Sequence, residues 1–191
     1  MHLKLSEIAQ IISGFSFRTA METVNKGNYF VVQARDIVEV NQTIDLHKLS
    51  KIEFNSKSTS PLLKDSDILL SARGVEVGGF KAAIYFGEDY TVVASSSLYV
   101  IRIEDSRIIP EYLLYYINSS RGQKTLRNIM MGATVKTISK KEISDIEISV
   151  PPLEKQKLIV GTISNMSEQT KLMQKKIKLI NSLTENILSK T

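Results

Sequence analysis

The sequence predicts an α+β protein in which a mixed or antiparallel sheet with flanking helices is followed by one long C-terminal helix. Three observations lead to this prediction. Residues 1–150 contain several β-rich runs at short spacing, and a helical segment opened by a proline follows them. After the proline pair at 151–152, the chain reaches residue 191 without another proline and repeats an apolar residue every seven positions. Short spacing between strands favours turn-connected strands over repeated βαβ units, and the seven-residue repeat is typical of a coiled coil.

The β-rich runs succeed one another up to residue 103. Leu5–Ile12 is predicted to be a short helix or strand that ends at Gly14. The runs after it are rich in β-branched and aromatic residues, and glycines or polar residues bound them, which is typical of strands joined by turns. These predicted strands are Tyr29–Ala34, Ile68–Ala72, Phe80–Phe86, Thr91–Ala94 and Leu98–Ile103.

Two helices and a last strand are predicted between residues 110 and 150. Pro110 opens the first helix, because a proline at the first helical position loses no hydrogen bond. The second helix is predicted near Arg121–Met130, with Gly132 as its left-handed C-cap. The alternation of apolar residues in Ile143–Val150 predicts a last strand packed on the body. The apolar stripe of the first helix consists of Tyr112, Leu113, Tyr116 and Ile117.

The C-terminal segment predicts a helix from Leu153 to about Ser189, ~55 Å long at 1.5 Å per residue. Two sets of residues, each with a period of seven, alternate along it at spacings of four and three, as in the a and d positions of a coiled coil. An apolar stripe of this kind must be buried against another helix. We call this stripe the seam; it consists of Ile159, Ile163, Met166, Thr170, Met173, Ile177, Ile180, Thr184 and Ile187.

Composition excludes several classes of protein. The chain has no cysteine, which excludes a disulfide framework and a thiolate metal site. No stretch approaches 18 consecutive apolar residues, and the N-terminus lacks the apolar core of a signal peptide. We therefore expect a cytoplasmic protein without a membrane segment.

The net charge of +5 is unevenly distributed. Residues 1–150 hold 18 Lys and Arg against 17 Asp and Glu, whereas residues 151–191 hold 7 against 3. The excess therefore lies on the helix. It is either an ordinary solvated face or a surface that attracts a polyanion, and charge alone leaves both interpretations open.

The search for catalytic groups finds no complete motif. The two histidines, His2 and His47, lie far apart in sequence and away from any pair of acids, so no metal site is expected. Ser149–Pro152 is superficially similar to the tetrapeptide of amino-methyltransferases, but it lacks the polar residue before the prolines and the aromatic residue after them. A P-loop, a dinucleotide-binding motif and a nucleophile elbow are all absent from the sequence. We expect a non-catalytic protein without a metal or a cofactor.

Three polar or glycine-rich loops are candidates for contact with nucleic acid. They are Arg73–Phe80, Ser95–Ser97 and Gly132–Lys141. Glycines allow a backbone to approach phosphates closely, and hydroxyl and basic groups bind them. The alternative is that all three are plain turns and caps.

Five segments, in this order, resemble the specificity subunit of type I restriction–modification systems. The resemblance covers nearly the whole chain, and it is most recognisable around Pro151-Pro152-Leu153-Glu154-Lys155-Gln156. Each segment is weakly specific alone, but their order and the long helix after them are distinctive. The segments are Ile11–Gly14, Tyr29–Ile37, Leu63–Gly74, Gly132–Ser139 and Ile146–Gln156.

The resemblance implies a division of labour within the chain. Residues 1–150 would form a target recognition domain that reads one half of a split double-stranded DNA sequence, and residues 151–191 would form the helix that spaces and pairs such domains. Subunits of this family usually carry two such units, with their helices antiparallel and methyltransferase subunits docked on them, and a restriction nuclease subunit joins some complexes. This chain carries one unit, which predicts a homodimer paired through the seam.

Two other interpretations remain. The chain could be a truncated or shuffling half-subunit that pairs with another specificity chain, or it could be an enzyme, which the absence of motifs disfavours. For the DNA-reading function, we expect Arg18, Gln33, Arg35 and Asn41 to read bases. We expect Arg73, Lys81, Thr134 and Lys136 to contact the DNA backbone, and Ser96 to offer a hydroxyl to DNA.

Overall fold

The structure is a computed structural model that describes residues 1–17, 27–37, 44–53, 62–74, 79–87, 91–130 and 137–189. The strands in these ranges are β1 (His2–Lys4), β2 (Ala9–Ser13), β3 (Tyr29–Val32), β4 (Ser50–Ile52), β5 (Ile68–Ser71), β6 (Ala82–Ile84), β7 (Val92–Ala94), β8 (Leu98–Ile103) and β9 (Glu147–Ser149). The α-helices are α1 (Leu5–Ile8), α2 (Pro110–Asn118), α3 (Ser120–Met130), α4 (Lys140–Ser144) and α5 (Leu153–Leu188). The predicted α+β class, with a long C-terminal helix, is confirmed.

A four-stranded antiparallel sheet with the order β2-β8-β5-β6 forms the centre of the body, which we call the head. Its central strand β5 is buried at all four positions. Because side chains alternate along a strand, Ile68 and Leu70 pack with the helices, whereas Leu69 packs on the other face. Both faces of the sheet are therefore covered.

A three-stranded sheet with the order β4-β3-β7 covers that other face. The β3–β4 pair is antiparallel, and the β3–β7 pair is parallel, with Val31 opposite Val93. Val32, Val92 and Ala94 pack against the four-stranded sheet in one apolar cluster. The prediction of a mixed or antiparallel sheet is thus confirmed.

The region before the long helix differs in part from the prediction. Pro110 opens α2 as expected, but Ile143 belongs to α4 and only Glu147–Ser149 forms a strand. The reason is a capping box: Ser139 Oγ accepts a hydrogen bond from the Glu142 N–H (3.3 Å), and Glu142 Oε2 accepts one from the Ser139 N–H (2.7 Å). The capping box satisfies free N–H groups and starts a helix, which buries Ile143 fully in the core.

The first and last strands of the head lie side by side. β1 pairs antiparallel with β9, with Leu3 opposite Ile148. The phenol of Tyr112 on α2 donates a hydrogen bond to the Ser149 carbonyl oxygen at 2.8 Å. As a result, Met1 and the start of α5 lie at the same corner of the head, and the Met1 amino group donates to the Val150 carbonyl oxygen at 3.1 Å.

Gln156, on the first turns of α5, joins the long helix to the head. Its side chain is fully buried. Its Oε1 accepts a hydrogen bond from the Ile109 N–H at 2.9 Å, just before α2. Its Nε2 donates to the carbonyl oxygens of Arg107 and Pro151, both at 2.8 Å. One amide therefore holds three segments together at the base of the helix.

A buried ion pair holds one end of the four-stranded sheet. Asp67 is 1% exposed, and its two carboxylate oxygens accept hydrogen bonds from Nε (2.9 Å) and Nη2 (2.7 Å) of Arg102. Asp67 also accepts a hydrogen bond from the Lys64 N–H, and Arg102 Nη2 donates one to the Leu62 carbonyl oxygen. The hydrogen bond to Asp67 raises the pKa of Arg102, so the guanidinium stays charged.

We expect Asp67→Asn to lower the free energy of unfolding by about 2 kcal/mol, because it leaves a largely buried guanidinium without a counter-charge. The cost falls below that of a fully buried pair because the Arg102 side chain is 17% exposed. Urea unfolding, monitored by circular dichroism, measures this change in the free energy of unfolding. Asp45→Asn is the control, since its partner Lys48 is exposed, and that substitution should change stability by less than about 0.5 kcal/mol.

Candidate nucleic-acid interface

Three strand ends and the segment before α4 meet around an open cleft of about 570 Å³. Ala34 follows β3, Ala72 and Arg73 follow β5, and the turn between β7 and β8 contributes two serines. The cleft is lined by Ala34, Ala72, Arg73, Ser96, Ser97, Tyr99, Thr137, Ile138 and Ser139. Its wall is therefore rich in hydroxyl groups and includes one guanidinium.

Hydrogen bonds within the head fix the positions of the two serines. The Ser97 hydroxyl accepts the Ala34 N–H at 3.0 Å and lies 2.8 Å from the hydroxyl of buried Ser95. The backbone N–H of Ser96 donates to the Phe15 carbonyl oxygen at 2.8 Å, which leaves the Ser96 side chain exposed at the surface. The turn is thus held rigidly, although it contains only small polar residues.

The opposite wall of the cleft is held by the end of β5. Arg73 forms an antiparallel bridge with Thr137, and the Ile138 N–H donates to the Ala72 carbonyl oxygen at 3.1 Å. The Tyr99 phenol donates to the Ile138 carbonyl oxygen at 3.1 Å, and burial raises the pKa of this phenol. Tyr99 therefore remains neutral and acts as a brace for this wall.

Four of the predicted DNA-binding residues lie at or beside the cleft. Arg73 and Ser96 line it, and both are exposed. Gln33 and Arg35 flank the lining residue Ala34, at the start of a short 3₁₀ turn. The Arg35 side chain is 69% exposed, and its Nε lies 3.9 Å from Asp36 Oδ1. The cleft therefore brings together residues predicted as base readers and residues predicted as backbone contacts.

The other predicted residues divide into two groups. Lys81 lies away from the cleft lining, where its backbone exchanges hydrogen bonds with Ser71 across the β5–β6 pair. Arg18, Asn41, Thr134 and Lys136 lie outside the described residues. Their assignment to DNA contact stays a prediction.

Sequence reasoning did not single out Tyr99, Thr137 or Ser139 as individual site residues. Thr137 and Ser139 lie within the loop Gly132–Lys141, whose hydroxyl and basic content was a usable signal. The sequence gives no signal that Tyr99 lies at the site, because an aromatic residue in a strand is ordinarily a packing residue. Its place beside the cleft follows from the pairing of β8 with β5.

The seam of α5 is exposed along most of its length. Ile159 is partly buried against the core of the head, and Ile163 is half-buried. From Met166 onward the apolar seam residues are between 51% and 68% exposed. Beyond its first turns, the helix therefore extends away from the head and presents its seam to the outside.

The polar residues of the seam are compatible with burial. The hydroxyls of Thr170 and Thr184 donate to the carbonyl oxygens of Met166 (2.8 Å) and Ile180 (3.0 Å), four residues earlier in the helix. A hydroxyl that is already hydrogen-bonded costs little when a second surface covers it. The two threonine hydroxyls are therefore no obstacle to burial of the seam.

Within the described residues, the acidic and histidine side chains form no cluster of three that could hold a metal ion. Among the same residues, no helix has both the length and the apolar character needed to cross a membrane.

Polar groups gather at the strand ends of the head, and the long helix exposes an apolar seam, a combination typical of recognition modules. The chain belongs to the family described as the type I restriction modification DNA specificity domain, whose model matches residues 1–182. This confirms the family inferred from the five sequence segments.

Individual relatives agree with the family model. The MjaX type I restriction enzyme specificity subunit assigned in Methanocaldococcus jannaschii is 25% identical over 190 residues, which cover 98% of this chain and 44% of that protein. The solved HsdS subunit from Thermoanaerobacter tengcongensis has a TM-score of 0.62 and 21% identity, over 92% of this chain and 39% of that one. A chain from a structural study of type I R-M complex assembly has a TM-score of 0.68 and 21% identity, over 91% of this chain and 39% of that one. This chain spans less than half the length of these relatives.

Proposed function

We propose that this chain is a non-catalytic DNA-specificity subunit of a type I restriction–modification complex, acting in the cytoplasm. Residues 1–150 read one half of a bipartite double-stranded site, and residues 151–191 set the distance to the other half. The observation that carries the proposal is the cleft at the strand ends, where Arg73, Ser96 and the Gln33–Arg35 segment converge. Arginine and hydroxyl groups are the side chains that bind base edges and phosphates.

The second half of the site comes from a second copy of this chain. The seam is exposed over most of α5, and each head brings its own copy of the cleft, so pairing through Leu153–Leu188 gives a twofold-symmetric reader of a palindromic, interrupted sequence. A helix of 36 residues is ~54 Å long. At ~3.4 Å per base pair, the half-site centres lie no more than roughly 16 base pairs apart.

Methyltransferase subunits, joined in some complexes by a restriction nuclease subunit, complete the proposed assembly. Residues 1–150 have nearly balanced charges, so the head draws little affinity from bulk electrostatic attraction. Basic partners that close around the duplex would neutralise most of its phosphates. We therefore expect weak DNA affinity for this protein alone and strong affinity in the complex.

Arg73, which lines the cleft, and Arg35, which lies beside it, are expected to contribute differently to DNA binding. Arg35→Ala should change the preferred base at one position of the half-site, with a loss of discrimination of about 1–3 kcal/mol. Arg73→Ala should weaken all sequences alike and reduce the slope of log affinity against log salt by about one per half-site. Binding selections from a randomised half-site, repeated at several salt concentrations, measure both effects with the methyltransferase complex.

Lys157→Ala is the control for this comparison. Lys157 is exposed on the helix and pairs with Glu154, so its removal should leave both sequence preference and salt slope unchanged. If neither arginine variant differs from the Lys157 variant, the cleft is not the DNA-reading surface.

The exposed seam also fits a second candidate function. The chain would then be a shuffling half-subunit whose helix pairs with a different specificity chain and exchanges one recognition domain. Mixing it with a longer specificity subunit and measuring which pairs form distinguishes the two: preferential heterodimers favour shuffling, and homodimers favour the self-paired reader.

A further inference from the structure

We propose that the outer face of α3 is a second DNA-contacting surface of the head, which binds phosphates of the duplex beside the bases that the cleft reads. The inference rests on the DNA-reading function proposed above and assigns to it residues that lie outside the cleft. We call this surface the basic face; it consists of Arg121, Lys124 and Arg127. Its contacts depend on charge and not on base sequence.

The positive charge of the head is concentrated on one stretch of the chain. Between Glu111 and Glu142 there are six Lys and Arg and no Asp or Glu. The stretch includes α3 and also the cleft residues Thr137 and Ser139. Without the three cations of the basic face, residues 1–150 would hold 15 Lys and Arg against 17 Asp and Glu. A polyanion is therefore attracted to this part of the head more than to the rest.

The amphipathic pattern of α3 places its three cations on the outside. Leu126, Gly122 and Gln123 are buried, and the basic face lies on the opposite, exposed side of the helix. Within the described residues, no carboxylate forms an ion pair with these cations. At 1.5 Å per residue the basic face extends over ~9 Å, which corresponds to about three phosphates along one DNA strand. The three cations are therefore available to an anion from outside the chain.

The side chain of Gln123 attaches α3 to the end of the sheet at which the cleft opens. Its Oε1 accepts a hydrogen bond from the Phe80 N–H at 2.9 Å, and its Nε2 donates to the Phe80 carbonyl oxygen at 3.0 Å. The next residue, Lys81, exchanges hydrogen bonds with Ser71 at the end of β5. Arg73, which lines the cleft, follows Ser71 by two residues. The helix and the cleft are therefore attached to the same end of the β5–β6 pair.

The backbone at Gly79 brings the basic face to that end of the sheet. Gly79 has a φ of +67°, and a Cβ at this position would collide with Gln123 Oε1 and would lie 3.5 Å from Arg127 Nη1. The Arg127 guanidinium thus lies close to the backbone just before Phe80. The basic face therefore begins where the cleft opens, and it extends from there along α3.

This adjacency favours DNA over an acidic protein surface as the ligand. A duplex bound at the cleft continues beyond the bases that are read, and it carries one negative charge per ~1.7 Å of its axis. Arginine and lysine both bind phosphate, and arginine does so with a planar fork of donors. The basic face therefore meets phosphates of the same duplex and requires no further partner. Three contacts in each head are few, in agreement with the weak affinity expected for this protein alone.

The test replaces the three cations by glutamine in the complex with methyltransferase subunits. Glutamine has a helix propensity close to those of arginine and lysine, so α3 should remain folded. Arg121→Gln/Lys124→Gln/Arg127→Gln should lower the slope of log affinity against log salt by about 2.7 for each half-site, and Lys124→Gln alone by about 0.9. Over a fourfold rise in salt concentration, the triple variant should lose about fortyfold less affinity than the unsubstituted chain. The sequence selected from a randomised half-site should not change.

Lys4→Gln/Lys48→Gln/Lys157→Gln is the charge-matched control. It removes the same number of positive charges, but each of these lysines already pairs with a carboxylate of its own chain. We expect it to change the salt slope by less than about one. A control that lowered the slope as much as the basic-face variant would show an effect of total charge and would overturn the proposed surface.

Neutral methylphosphonates, placed one at a time in a duplex that carries the selected half-site, locate the contacts. Two or three positions beside the half-site should weaken binding of the unsubstituted chain and leave binding of the triple variant unchanged. If every position weakens both proteins equally, α3 does not contact the DNA.

The remaining outcomes separate this inference from the proposed function. Retained sequence selection with an unchanged salt slope in the triple variant would overturn the basic face and leave the DNA-reading function in place. An unsubstituted complex that selects no sequence would overturn the proposed function, and this inference with it. Weaker assembly of the triple variant with methyltransferase subunits in the absence of DNA, with an unchanged salt slope at saturating subunit concentration, would overturn the inference in favour of an acidic protein surface.

Discussion

Replacing Ile177 by aspartate is expected to convert the proposed dimer into monomers while the head remains folded. Ile177 is 59% exposed on the isolated chain, so aspartate costs the single copy little. In the pair, however, two aspartates would be buried in the middle of an apolar seam. Removing each charge from water costs several kcal/mol, so we expect the dimer dissociation constant to rise at least hundredfold. Sedimentation equilibrium measures it.

Loss of the proposed dimer should also separate the two half-site contacts that it would join. A linked second contact commonly raises affinity by about 10² or more, so the Ile177 variant should bind a complete site no better than a half-site. Ser182→Asp is the control, because it introduces the same charge on the opposite side of the helix. If the Ile177 variant stays dimeric, or if both variants dissociate equally, the seam is not the pairing surface.

The long helix was the most predictable part of the fold. Pro152 stops the last strand, and the repeat that follows is a local pattern with one interpretation, so the predicted start at Leu153 and end near Ser189 agree with Leu153–Leu188. The strands were recognised where β-branched residues cluster, as in Leu98–Ile103, which matches β8. The short strands β1 and β4 were missed, because three residues carry too little pattern.

The pairing of the strands could not be read from the sequence. β2 lies beside β8, and β3 lies parallel to β7, across separations of about sixty residues or more. These pairings depend on packing between distant segments and not on a local sequence pattern. For the same reason, sequence reasoning placed Arg73 and Ser96 in separate loops, and the structure brings them to one cleft. Residue type indicated which groups could bind DNA, but tertiary packing decides which of them act together.

Gln156 is the residue on which the geometry between head and helix depends most. In the proposed dimer, the seam would determine how the two helices pair, and the angle at which each helix leaves its head would determine where the two clefts lie on DNA. The Gln156 amide makes three hydrogen bonds at 2.8–2.9 Å, and the side chain has no exposed surface. Because these bonds reach the segment before α2 and the end of the last loop, they oppose bending of the helix in more than one direction.

Gln156→Leu is therefore expected to have two separable effects. Leucine fills a similar volume but leaves the Ile109 N–H and the carbonyl oxygens of Arg107 and Pro151 without their partner, so the free energy of unfolding should fall by about 3 kcal/mol. Gln169→Leu, at an exposed position of the same helix, should change it by less than about 0.5 kcal/mol. Chemical denaturation measures both values.

The second effect concerns the spacer between half-sites. Each added base pair moves one half-site by ~3.4 Å and turns it by roughly 35° around the DNA axis, so a rigid joint should accept one spacer length and reject its neighbours. With the joint loosened, Gln156→Leu should bind sites with one base pair more or fewer with affinity closer to that for the preferred spacer, measured below the unfolding transition. If Gln156 only stabilised the fold, its replacement would lower the affinity for sites of every spacer length by the same factor. Retention of the full preference by a destabilised Gln156 variant would mean that other contacts at the base of α5 set the angle.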